Sequence, residues 1–239
     1  MDNVARLAVF QAQVENVRAL EGARKQVSRT INAALRLGDD PKAEVHTKLY
    51  AQLFSAWAEA SFLKVLHTPH GFSLNEIAQI KKIWSDSGIT SGWNKCIELG
   101  LRKVPAQQSG FVPNVSKRIL KLVGEYVTDP SLLRNKIAHG QWRVALNKGN
   151  TAVNPALTQK LDELDIVKID IWFGSHRRLA LIVENLIESP RRAFIGAYWP
   201  QLIELEAFVD KTKLWSISAK VASIRAKSIR VQPRPHIAS

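Results

Sequence analysis

The sequence holds a single cysteine, Cys96. One thiol excludes an internal disulfide and any thiolate metal cluster. Histidine is sparse as well. The six histidines are scattered, and none forms the His-x-x-x-His pair with which a helix grips zinc. No metal or other cofactor is therefore expected. Long apolar runs are missing: no window approaches about 18 uncharged apolar residues, so no membrane contact is expected. Met1 to Arg6 lack the basic segment and apolar run of a secretory leader, which points to a soluble, cytoplasmic protein.

Negative charge is the scarcest commodity. Thirty-four Lys and Arg face 21 Asp and Glu, a formal charge of +13. After Asp210 there is no acidic residue at all, yet Lys211, Lys213, Lys220, Arg225, Lys227, Arg230 and Arg234 follow. Such a surplus favours a polyanionic partner, nucleic acid above all. A merely basic surface is the plainer alternative. The chain is otherwise ordinary for a folded protein, with 46% apolar and 23% charged residues over 239 positions. That suffices for one substantial core.

Apolar residues recur at steps of three and four from residue 3 to about 37, starting Val4, Leu7, Phe10, Val14 and Val17. Gly38-Asp-Asp-Pro41 ends that helix, and a second runs from about 42 to 67 on Leu49, Leu53, Trp57, Ala60 and Leu63. Two long helices across a short turn predict an antiparallel hairpin. Ser73-Leu-Asn-Glu76 is a capping box opening a short helix to about Trp84. Helices follow over 90–104 and from Asn114 to about Thr128, and Asp129-Pro130 reads as a fresh helix start. Trp142, Val144 and Leu146 then alternate with Gln141, Arg143 and Ala145, as in a strand. Lys148-Gly-Asn150 reads as a turn and Thr151-Ala-Val153 as the return strand, a small β-hairpin-like insert. A short helix near 155–163 comes next. Val167, Ile169 and Ile171 suggest a third short strand, and a helix then reaches Ser189. A last helical stretch starts at Pro190 and is disturbed at Trp199-Pro200. The expected fold is mainly α, a helical bundle over 1–210 with a basic C-terminal extension over 211–239. Trp57, Trp84, Trp93, Trp142 and Trp199 read as core, and Asp162, Glu163 and Asp165 as a loop or capping cluster.

The chemistry concentrates in Ser131-Leu-Leu-Arg134-Asn135-Lys136-Ile137-Ala138-His139-Gly140-Gln141-Trp142. Cleavage of RNA through its own 2′-hydroxyl needs a base for that proton, a cation on the phosphate and an acid for the leaving oxygen. Histidine suits the proton transfers because imidazole ordinarily titrates near neutrality. Arginine suits the phosphate because it stays charged and binds as a fork. On an ideal helix Arg134 and His139 diverge by about 140°. Asn135 and His139, four apart, share a face. Arg134 must converge by its length, by distortion of the helix near Gly140, or across two chains. The bare spacing is weak: Arg230-Val-Gln-Pro-Arg-Pro-His236 matches it too, but its two prolines exclude a helix.

Arg134-Asn135-Lys136-Ile137-Ala138-His139-Gly140 resembles the signature of the HEPN superfamily (higher eukaryotes and prokaryotes nucleotide-binding), an Arg followed by a polar residue, a few spacers and His. The motif's place late in a helical run fits that resemblance; the insert at 142–171 and the extension lie outside the minimal pattern. The resemblance implies a metal-independent endoribonuclease, usually a homodimer that joins two motifs in one cleft. It implies a toxin or antiviral defence role, with an antitoxin or other partner protein. Arg134 would bind the scissile phosphate, His139 would act as acid and base, and Asn135 would position them. Further candidates for RNA contact are Lys136 and Arg143 beside the motif, His176-Arg177-Arg178, and Lys220, Arg225, Lys227 and Arg230 in the extension. For His176-Arg177-Arg178 a solvated helix face is the plainer explanation; the extension is the better candidate for a non-specific nucleic-acid arm, its alternative being a dock for an acidic partner such as an antitoxin. His139 is equally a favourable C-terminal histidine at a helix dipole, and Arg134 an ion-pair residue. The alternative to the nuclease is a non-catalytic helical module that binds RNA or protein.

Overall fold

The computed structural model describes residues 2–105 and 110–229. Arg230 and the segment Pro233 to His236 lie outside these residues. Helix α1 (Asn3–Leu37) opens at Asp2, whose carboxylate accepts from the Ala5 amide at 2.7 Å. It ends at Gly38, in the left-handed region at φ 73° that a Cβ disfavours. Asp39 then caps α2 (Asp40–Leu66) by accepting from the Lys42 amide. The two helices pack on each other, with Ile31, Ala34 and Leu35 buried in one cluster with Ala43, Tyr50 and Ala51. Arg6, in the first turn of α1, donates to the Phe72 carbonyl past the end of α2.

The capping box is formed. Ser73 and Glu76 exchange their reciprocal bonds at 3.3 and 2.7 Å and start α3 (Leu74–Ser87). Helices α4 (Ile89–Leu101) and α5 (Phe111–Val123) follow. The chain does not break at Asp129-Pro130 as expected. It passes from α5 through a π turn (Gly124–Thr128) directly into α6 (Asp129–Ala138). Pro130 has no N–H to give the Tyr126 carbonyl four residues earlier. That carbonyl instead lies 3.3 Å from Nδ1 of His176, so the proline is absorbed without ending the helix.

Among the described residues there is no strand. The segment after α6 holds one isolated antiparallel bridge, Leu146 to Val153, around a turn in which the Thr151 amide donates to Asn147 Oδ1. The alternation failed because its apolar side finds no sheet to cover it: Val144 and Val153 are exposed, and the buried residue is Ala145 from the opposite phase. Val167, Ile169 and Ile171 are likewise helical. Asp165 accepts from the Lys168 amide at 2.8 Å and starts α8 (Ile166–Glu188), after the short α7 (Pro155–Asp162). Helix α9 (Ala193–Thr212) runs through Pro200 with Trp199 exposed, not in the core. Helix α10 (Ile217–Ile229) packs on α1 and α8, with Ile217 and Val221 against the buried residues.

The core has two lobes. One gathers the end of α2, α3, α4, α5, the second half of α8 and α9. The other gathers α1, the start of α2, α6, α7 and the first half of α8. Helices α2 and α8 thread both. Helix α8 meets α9 so closely at Gly174 that a Cβ there would lie 2.2 Å from the Phe208 ring. That ring is pinned by the Arg178 guanidinium, 4.2 Å above it. Gly174→Ala should therefore lower stability by about 1–3 kcal/mol despite alanine's better helix propensity. Urea unfolding measures it, and Phe208→Leu added to the same chain should cost less than its separate effect.

Candidate active site

Helix α6 terminates in a Schellman turn. The Gly140 amide donates to the Ile137 carbonyl at 3.1 Å and the Gln141 amide to the Lys136 carbonyl at 2.9 Å, with Gly140 at φ 77°. Leu133 and Ile137 anchor the helix in the second lobe. The indole of Trp142 ties the turn down by donating to the Ile137 carbonyl at 3.0 Å. Leu132, Asn135 and His139 are left on the outer face, all three exposed, with Leu132 at 46%. Nothing among the described residues bonds the Asn135 amide or the His139 ring.

Arg134 points elsewhere. Its Nε donates to Ser55 Oγ at 2.6 Å and its Nη2 to Glu59 Oε1 at 2.5 Å, both on α2. Arg134, Ser55 and Glu59 line a narrow cleft together with Tyr126, Ser131 and His176. The structure thus presents Asn135 and His139 side by side on the surface and the arginine on the flank, where no hydrogen bond joins it to either. Ser55 and Glu59 are site residues that the sequence alone did not reveal. They precede Arg134 by 79 and 75 positions, so no local spacing signals them.

Most of the other proposed RNA contacts are engaged within the chain. Lys136 Nζ donates to the Leu146 carbonyl at 2.6 Å, holding the loop to α6. Arg143 stands 3.7 Å from Glu44 on the surface. Arg177 pairs with Glu21 and covers the Trp57 ring, and Arg178 bonds Glu204 and the Gly174 carbonyl. Lys220 lies 3.4 Å from Asp170, and Arg225 reaches the Leu35 carbonyl. Lys227 is exposed.

His176 is the clear correction. It is 1% exposed, boxed by Phe54, Trp57 and Trp93 at ring distances of 5.8, 5.4 and 5.5 Å. It contacts no phosphate at the surface. Its position was readable: Phe173, His176, Leu179, Ala180 and Val183 step by threes and fours along the buried stripe of α8. The carbonyl of Tyr126 can only accept, so Nδ1 carries the proton. Nε2 has no partner among the described residues.

No family model matches the chain, and no curated protein or solved structure matches it either.

Burial pushes the His176 imidazole down to about 4, the Tyr126 bond opposing this only in part. In the unfolded chain the ring titrates near 6.5. Above that pH the ring is neutral in both states and adds no pH dependence to stability. As pH falls from 6.5 towards 4 the unfolded state takes up a proton that the folded state refuses, and stability drops by up to about 3 kcal/mol. Urea unfolding at pH 7.5 and 4.5 should show this loss. His176→Phe should show a smaller loss over the same interval; an equal one would mean that another group carries the dependence.

Proposed function

We propose that this protein is a metal-independent endoribonuclease of HEPN type. The observation that carries the reading is the outer face of α6, where Asn135 and His139 stand exposed and unbonded directly before a rigid helix stop. A histidine with no internal partner is free to take a proton from a 2′-hydroxyl and return one to the leaving 5′ oxygen. Asn135, one turn earlier, orients the ring or the attacking hydroxyl. Arg134 supplies the phosphate contact once a phosphate displaces the Glu59 carboxylate, since a guanidinium offers the same fork to either anion.

The exposed Leu132 beside Asn135 and His139 supports a second copy of the chain over this face. In such a homodimer each motif lies near its twin, and an arginine on the flank of one α6 serves the histidine of the other. We read α1 and α2 as the long antiparallel hairpin that carries the bundle. The resemblance of Arg134–His139 to the HEPN signature favours a toxin or defence effector held in check by a partner protein. One observation favours a second reading, a non-catalytic RNA- or protein-binding module: Arg134 is held by Ser55 and Glu59, as a structural arginine would be.

Total RNA incubated with the purified chain separates the two. The nuclease cleaves in EDTA and leaves 2′,3′-cyclic phosphate ends. His139→Ala and Arg134→Ala should each slow cleavage by about 100-fold or more with the fold intact by circular dichroism. Strict dependence on Mg²⁺, or an undiminished His139→Ala variant, would sink the mechanism.

A further inference from the structure

Two stretches without a single carboxylate meet on one side of the fold. One is the segment after Asp210. The other is Gly22 to Gly38, the second half of α1, where Arg24, Lys25, Arg29 and Arg36 meet no Asp or Glu. The fold brings them together, because α10 docks on α1. Arg225 of α10 donates to the carbonyl of Leu35, the neighbour of Arg36, and its guanidinium comes close to Gly38.

Within these stretches Arg24 turns inward to Glu21 and Asp170, and Lys220 is neutralised by Asp170. Lys25, Arg29 and Arg36 do neither. All three are exposed, none has a hydrogen bond or ion pair among the described residues, and their spacing of four and seven places them on one face of α1. Along the helix axis they stand about 6 and 10 Å apart. Arg225 bonds a neutral carbonyl and so keeps its full charge, and exposed Lys227 adds another. The paired cations of α8, Arg177 and Arg178, contrast with this set.

We infer that the second half of α1 and the docked α10 form one track for an RNA backbone, with Lys25, Arg29, Arg36 and Lys227 contacting phosphates. The ligand class rests on the proposed nuclease reading; the surface does not depend on the α6 site. Neither Gly22–Gly38 nor Ile217–Ile229 holds an aromatic residue on which bases stack. The track is therefore indifferent to sequence and works through counterion release.

The test is anisotropy of labelled oligouridine and of a mixed-sequence RNA, in chains carrying His139→Ala so that the RNA stays whole. One variant adds Lys25→Gln, Arg29→Gln and Arg36→Gln. A control adds Lys81→Gln, Lys117→Gln and Lys160→Gln, three exposed cations elsewhere, for the same change in charge. The track variant should raise Kd between roughly 10- and 100-fold at about 0.1 M salt and reduce the salt slope by about 2. The control should bind like the parent, and both RNAs should behave alike. Equal weakening in the two variants would show net charge alone, and that result, or no weakening in either, overturns the track. Absence of RNA binding by the parent overturns it too, including the case where the surface serves an acidic protein. If the track holds but the wild type never cleaves, the nuclease reading fails and this inference stands.

Discussion

The packing of His176 is the interaction on which the rest of the molecule depends. The ring lies at the seam between the two lobes, with Trp93 of one and Phe54 and Trp57 of the other against it. Its Nδ1–H takes the Tyr126 carbonyl that Pro130 leaves open in the π turn. One side chain therefore links α2, α4, α8 and the segment that delivers α6. A charged ring there would face aromatic walls with no carboxylate to answer it, which is why the buried ring stays neutral.

A chain this basic must dispose of its surplus charge, and the structure does so in two ways. Several cations against the core are matched by carboxylates: Asp170 lies near Arg24 and Lys220, and Lys64 pairs with Glu184 at 2.7 Å. Where they face outward on the second half of α1 they are left unmatched. Exposed pairs are individually weak, so this division does little for stability. It determines instead which surfaces carry a positive field. Glu59 matches the arginine of the motif.

The helices were largely legible from the sequence, since a stripe at steps of three and four fixes both the element and its buried face. The cap at Ser73 was legible for the same local reason, whereas the helix start at Asp165 was hidden by the strand-like alternation that follows it. The strands were misread because alternation over a few residues also occurs by chance within a helix, as at Val167 to Ile171, or in a loop, as at Trp142 to Leu146. Of the candidate site, the outward face shared by Asn135 and His139 followed from helix geometry. The destination of Arg134 did not, because its partners sit on a helix many turns earlier in the chain. His176 was misplaced when the two arginines after it outweighed its own place in the apolar stripe.

The π turn sets the angular phase between α5 and α6. Upstream of it, Val115, Ile119, Leu122 and Val123 belong to the first lobe; downstream, Leu133 and Ile137 belong to the second. A single residue more or fewer in this linker rotates everything after it by about 100°. Leu133 and Ile137 would leave the core, and Leu132, Asn135 and His139 would swing off the face they now occupy. The number of residues between Gly124 and Thr128 is thus constrained in its own right, apart from the packing of Val127 in the first lobe. The position of the histidine is governed by counting as much as by chemistry.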